Sequence, residues 1–222
     1  MAKKDISNIN NIDYKIAEAY REIKTNIKLS PVGLKTIAVT SAKPMEGKST
    51  VALNLSKTLA ESGEKVVFVD CDMRKSKIAD MYLITEPKSG LHEYLRGEAK
   101  AEDIIFKDSQ YGIDVILSGL PTEESTALLD GENLVNLVGY LKERYKYIVL
   151  DTPSLLGISD ASIVIDKCDG VILVIEENKV SMKEEVETVE RLRAMKAEIV
   201  GAVLNKATIK ENINKDVDYY KV

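Results

Sequence analysis

Residues 36–54 read TIAVTSAKPMEGKSTVALN. The apolar run over 36–40 predicts a buried strand. A polar loop follows, ending in Gly47-Lys48-Ser49-Thr50, and a helical pattern begins directly after it. Strand, loop and helix in that order are the context a phosphate-binding loop requires. Backbone N–H groups of such a loop, with the helix N-terminus behind them, surround phosphate oxygens. Lys48 would place a compact positive charge near the β- and γ-phosphates, and the Ser49 hydroxyl would ligate Mg²⁺. The pattern GxxxxGK[ST] asks for Gly at position 42, where this chain has Ala42. The bland alternative is a Gly-Lys-Ser turn that merely opens a helix, so the rest of the chain has to decide.

Downstream, two further apolar runs of strand length end in acid. Residues 65–70, KVVFVD, lead into Cys71-Asp72-Met73-Arg74, and residues 147–150, YIVL, deliver Asp151-Thr152-Pro153. Packing does not explain two carboxylates and an arginine at a strand end, whereas the carboxyl edge of an open parallel sheet is where ligands bind. If the strands are parallel, the loop, Asp70/Asp72 and Asp151 converge on one Mg-nucleotide. Lys48 and the loop would meet the triphosphate, Ser49, Asp72 and Asp151 would hold the metal directly or through water, and Asp70 or Asp72 would serve a nucleophile as base.

The remaining pattern supplies more layers. Helical spacing predicts a helix over about 13–29, closed by Pro31, and others over 50–61, 91–95, 101–106, the stretch around Leu134 to Leu141, and the stripe Met182, Val186, Val189, Leu192 and Met195, assigned to core packing. Further strands are expected at 113–117, 171–175 and 199–204. The fold class is therefore α/β, a doubly wound, mainly parallel sheet flanked by helices, P-loop NTPase-like. One domain is expected over 1–222, with a loose start over 1–11 and a flexible tail over about 207–222. Within the first helix Glu18, Arg21 and Lys24 lie three apart on one side, which by spacing alone is a solvated charged face. His92 is expected as a surface helix residue.

Composition narrows the classes. The net charge of −5 argues against a large nucleic-acid footprint. Cys71 and Cys168 have no metal or disulfide spacing and suit a reducing cytoplasm, and one His leaves no Ser-His-Asp triad or His-based metal site. No apolar run approaches about 18 residues, so direct membrane insertion is not expected and membrane association would come through a partner. Of the aromatics ten are Tyr, against two Phe and no Trp, and two of those tyrosines, Tyr219 and Tyr220, are adjacent in the C-terminal tail.

Residues 40–50 (TSAKPMEGKST), 66–74 (VVFVDCDMR) and 147–153 (YIVLDTP) resemble the Walker A, A-prime and B motifs of bacterial tyrosine kinases, the autophosphorylating kinases of capsular and exopolysaccharide synthesis. The DxDxR form is the most specific of the three, and the resemblance spans most of the chain. It implies a kinase that uses ATP and Mg²⁺ to phosphorylate a C-terminal tyrosine cluster in trans within a ring, with Lys48, Asp70, Asp72 and Asp151 catalytic and Tyr219 and Tyr220 as acceptors. ATP would be held by Lys43, Glu46, Gly47, Lys48, Ser49, Thr50 and Asn205, the last near the adenine. The family's ExxRxxR ring contact is matched by residues 18–24, EAYREIK, which turns Glu18, Arg21 and Lys24 into interface candidates. The resemblance further implies a membrane-protein activator with a cytoplasmic tail, a cognate tyrosine phosphatase, and a cytoplasmic chain recruited to the inner face of the membrane. Met45 replaces the family's usual Gly, Ser76 and Ser154 replace Pro, and Lys24 replaces Arg. Two alternatives stay open: a dimeric positioning ATPase, for which Lys43 stands at the signature-lysine place, and a nucleotide-binding regulator without turnover.

Overall fold

The computed structural model describes residues 14–30, 33–81 and 89–207. Seven strands, β1 (Thr36–Ser41), β2 (Val66–Asp70), β3 (Ile105–Asp108), β4 (Ile113–Ile116), β5 (Tyr147–Asp151), β6 (Gly170–Glu176) and β7 (Ile199–Asn205), form one sheet in the order β3-β4-β2-β5-β1-β6-β7. All neighbours run parallel except the β3–β4 hairpin at one margin. The chain is thus a P-loop NTPase-like, mainly parallel α/β fold. The helices are α1 (Tyr14–Leu29), α2 (Lys48–Ala60), α3 (Ile78–Met81), α4 (Leu91–Leu95), α5 (Ser125–Leu129), α6 (Glu132–Lys142), α7 (Asp160–Asp166) and α8 (Met182–Ala194).

The inner strands β2, β5 and β6 are almost wholly apolar up to their last residue because both faces are covered. Side chains alternate along each strand. Ile37, Val39, Val66, Phe68, Tyr147 and Val149 pack with Tyr20 and Ile27 of α1 and with Val51, Leu55 and Leu59 of α2. Their neighbours Val67, Val69, Ile148 and Leu150 pack on the other side with Leu91, Leu129, Leu134, Leu141 and Val164, contributed by α4 to α7. Ala38 and Val171 share a smaller cluster with Ile165 and Leu192. The consequence for function is positional: β5, β1 and β6 lie side by side with β2 next to β5, so the ends of all the acid-bearing strands meet at one edge of the sheet.

Three local expectations need correcting. The stretch 101–106 is no helix: a single 3₁₀ turn over Ala101–Asp103 gives way to β3, which pairs antiparallel with β4. The consecutive Ile105 and Phe106 favour an extended edge over a helix. The α8 stripe is core only in its second half, since Leu192 is buried while Met182 and Val186 are exposed. His92 is buried, its Nδ1 3.0 Å from Glu93 Oε1. The short helices α5 and α7 were not foreseen, being too brief for periodicity to mark.

Candidate active site

The loop between β1 and α2 is fastened from below. Glu46 is buried, with Oε1 accepting from the Lys43 N–H at 2.6 Å and Oε2 accepting from the Glu176 N–H at the end of β6 at 3.1 Å. Asn205, the last residue of β7, donates Nδ2 to the Glu46 carbonyl at 2.8 Å. Gly47 then turns the chain into α2 with φ +88°, and a Cβ there would lie 2.1 Å from Asn205 Nδ2. Two independent constraints therefore demand glycine. Met45, which stands where the family usually has Gly, has φ +67°. Its carbonyl accepts from Lys179 Nζ at 2.8 Å and Lys206 Nζ at 3.3 Å. Both ammonium groups also pair with Glu176 Oε2.

Lys48 opens α2 and is largely buried, whereas Ser49 is half-buried and Thr50 exposed. Ser49 bonds to Asp151, and the Lys48 charge acts on the same carboxylate. Asp151 and Asp70 are Cα partners in the parallel β2–β5 pairing, both buried at the ends of their strands. Burial, then the Asp70 charge, push Asp151 up to about 8 against the opposing pull of Lys48 and Ser49. Burial likewise raises Asp70 to about 7, opposed by bonds from the Ser76 hydroxyl, the Asp72 N–H and Ser118. Asp72, two residues on, is half-buried and accepts from the Lys75 N–H at 3.0 Å.

The segment after Asp151 ties back to the phosphate-loop strand. Thr152 N–H donates to Val39 O at 3.1 Å, Leu155 N–H to Ser41 O at 2.8 Å and Leu156 N–H to Ala42 O at 3.2 Å. Arg74, the end of the DxDxR run, reaches the buried Asp160 at 2.9 Å. Burial alone would raise the Asp160 carboxyl, but bonds from Ser125, Thr126 and Arg74 outweigh it and hold it below the usual range.

A family model described as an AAA domain matches residues 34–214. The tyrosine-protein kinase CpsD of Streptococcus pneumoniae serotype 4 is 33% identical over 198 residues, covering 89% of this chain and 87% of that protein. The chain belongs to the bacterial tyrosine kinase family. The kinase domain of the Escherichia coli tyrosine kinase ETK superposes with a TM-score of 0.86 at 26% identity, over 95% of this chain and 83% of that one. The Pyrococcus furiosus cell division ATPase MinD gives a TM-score of 0.68, also at 26% identity, over 80% and 74% of the two chains. The family therefore shares its scaffold with positioning ATPases, as the three motifs imply.

The structure draws Lys48, Ser49, Asp70, Asp72 and Asp151 together. Glu46 and Asn205 lie beneath the loop, bonded to its backbone, rather than projecting from it. Lys43 Nζ pairs with Glu184 Oε1 of α8 at 2.7 Å. Glu18 and Arg21 are exposed on α1 and pair with each other at 2.8 Å, with Lys24 half-buried beside them. Tyr219 and Tyr220 lie outside the described residues. Ser76, Asp160, Glu176, Lys179 and Lys206 were missed. Glu176, Lys179 and Lys206 follow or end parallel strands at the ligand edge, so applying that rule to β6 and β7 would have found them.

The donor set fits a hard cation. Asp151 Oδ1 is buried without a protein partner, and the two raised carboxylates carry charge that a cation would stabilise. Among the described residues no three His, Cys, Asp or Glu converge into a metal cage. The Asp151 carboxylate and Ser49 hydroxyl are donors of the kind Mg²⁺ takes along with waters and phosphate oxygens. No helix among them is long and apolar enough to cross a membrane.

Proposed function

We infer that this chain is an ATP- and Mg²⁺-dependent protein-tyrosine kinase that phosphorylates copies of itself and acts in capsular or exopolysaccharide synthesis. The observation that carries the reading is the Asp70–Asp151 pair in register at the strand ends beside Lys48, in a chain whose relatives are named tyrosine kinases.

Each role follows from placement. The N–H groups of the loop and of the first turn of α2 cradle the β- and γ-phosphates of ATP, and Lys48 neutralises charge on the group in transit. Ser49, Asp72 and Asp151 would hold Mg²⁺, which supplies charge neutralisation at the phosphates when bound. Asp70 accepts the phenolic proton. A tyrosine hydroxyl, with pKa near 10, is a weak nucleophile at neutral pH, and the buried Asp70 carboxylate at the strand end is placed to take its proton. Catalysis is then mostly positioning and charge stabilisation. The acceptors are Tyr219 and Tyr220, reached in trans within a ring whose contact uses Glu18, Arg21 and Lys24. A membrane-protein activator with a cytoplasmic tail brings the chain to the inner face of the membrane, and a cognate tyrosine phosphatase resets it. Each added phosphate brings about −1.5 to −2 charges, which disfavours self-association of an already acidic chain.

The deciding experiment incubates the chain with ATP, Mg²⁺ and activator segment and maps phosphate by mass spectrometry. Label on Tyr219 and Tyr220, abolished by Lys48→Met, is expected. Label confined to Ser or Thr, or unchanged in Tyr219→Phe/Tyr220→Phe, would sink the reading. The MinD likeness keeps a positioning ATPase as the second reading. ATP-dependent sedimentation on liposomes or DNA, with no tyrosine label, would favour it.

A further inference from the structure

Asp160 lies outside every motif named above, yet it is fully buried and joins three elements. Its Oδ2 accepts from Arg74 Nε at 2.9 Å and from Ser125 Oγ at 2.5 Å, and its Oδ1 accepts from the Thr126 hydroxyl. Arg74 Nη2 closes the circuit by donating to Thr126 Oγ1 at 3.1 Å. A buried carboxylate answered by this many donors has one low-energy arrangement, and removing a partner leaves charge or donors stranded. The cluster is therefore a rigid post rather than a surface ion pair.

What the post holds is the segment that carries Asp72. That residue is anchored on one side by its N–H to Asp70 Oδ1 at 3.1 Å. On the other side the chain is pinned by Arg74 to Asp160 and by the Met73 carbonyl, which accepts from the Thr122 N–H at 3.0 Å. The base of the post is itself tied to the phosphate loop. Asp160 begins α7 at the end of the segment whose Leu155 and Leu156 N–H groups bond to Ser41 O and Ala42 O.

We propose that Asp160 is a positioning residue for phosphoryl transfer: through Arg74 it holds Asp72 in register with Asp151 and the phosphate loop. This rests on the kinase reading above. Small displacements of a charged group at a reacting centre are costly, whereas nucleotide contacts made by the loop backbone do not pass through Arg74. The signature is accordingly selective. Loss of Asp160 weakens what Mg²⁺ adds to nucleotide binding and to turnover, and spares metal-free nucleotide binding.

The test uses the full chain, with Asp160→Asn, Arg74→Lys and the double variant beside wild type. Three quantities are read: thermal midpoint, affinity for a fluorescent ADP with and without Mg²⁺, and the Mg²⁺ dependence of tyrosine phosphorylation. Asp160→Asn should keep metal-free ADP affinity near wild type, lose about tenfold of the Mg²⁺-dependent gain, and need more Mg²⁺ for half-maximal rate. The double variant should be little worse than either single one, because both break the same link. An Mg²⁺-dependent gain equal to wild type in folded Asp160→Asn or Arg74→Lys overturns the proposal, as does full additivity. Should Asp160→Asn fail to fold, Arg74→Lys decides by the same readouts. A wild-type chain that binds Mg-ADP but labels no tyrosine would defeat the kinase reading while the nucleotide measurement still decides this one.

Discussion

Asp70 and Asp151 stand opposite one another as the last residues of neighbouring parallel strands, both buried, with the Lys48 charge acting on Asp151. Two carboxylates so placed resist ionisation until a cation arrives. Their raised values, about 7 and about 8, mean that the folded chain keeps protons the unfolded chain has released above about pH 4. Stability from this pair is complete below that pH, declines as pH rises, and levels off once both have ionised. Carboxyls held low by their partners, such as Asp160 and Asp169, act only at the acid end. Urea unfolding of the nucleotide-free, metal-free chain between pH 5 and 8 should therefore show stability falling throughout, with a shallower fall in Asp70→Asn. Stability rising over that range would contradict the buried pair.

Met45 holds a left-handed backbone with a β-carbon attached. Met45→Gly should stabilise the chain by about 1 kcal/mol, since the conformation costs a side-chain-bearing residue that much. The two lysines on its carbonyl remain in place, so the loop keeps its shape and nucleotide affinity should rise or hold. Denaturant midpoints and a nucleotide titration check both halves.

Gly47 shows the opposite sign. Gly47→Ala forces a Cβ against Asn205 Nδ2 and a left-handed φ on alanine, and should destabilise by about 1–2 kcal/mol. Pairing it with Asn205→Ala removes the collision but not the backbone cost. The double variant should thus recover only part of the loss relative to Asn205→Ala alone, and full recovery would show that φ carries no penalty here.

Ser76 donates its hydroxyl to Asp70 and lowers that carboxyl. In Ser76→Ala the acidic limb of the kcat/KM–pH profile should move to higher pH, by up to about one unit. A limb that stays put argues that Asp70 is not the proton acceptor.

Much of this site was legible because its chemistry sits where strands end. An apolar run is easy to see, and the polar residue that stops it, Asp70, Asp151 or Asn205, marks the ligand edge. Elements that rely on tertiary partners were harder. Ile105 and Phe106 were absorbed into a helix because four residues at a sheet margin carry no period of their own, and only pairing with β4 makes them a strand. Met182 and Val186 match a helical stripe perfectly well, yet both side chains are exposed. Glu46 shows a subtler limit. Its place in the motif is visible, whereas its inward turn toward Lys43 and Glu176 depends on a strand 130 residues away.

Among the described strands, consecutive ones pair directly only in the β3–β4 hairpin and, across the helix α8, in the parallel β6–β7 pair. Every strand junction that builds the cleft joins distant stretches: β1 with β5, β2 with β5, and β1 with β6. Loop-closure entropy must be met before such contacts return any free energy, and chains of this topology fold slowly for that reason. The hairpin can form early and locally, but the three strand ends that meet the nucleotide come together only when the middle of the sheet closes. Regaining nucleotide binding during refolding should consequently coincide with the last cooperative phase, not with the first burst of secondary structure.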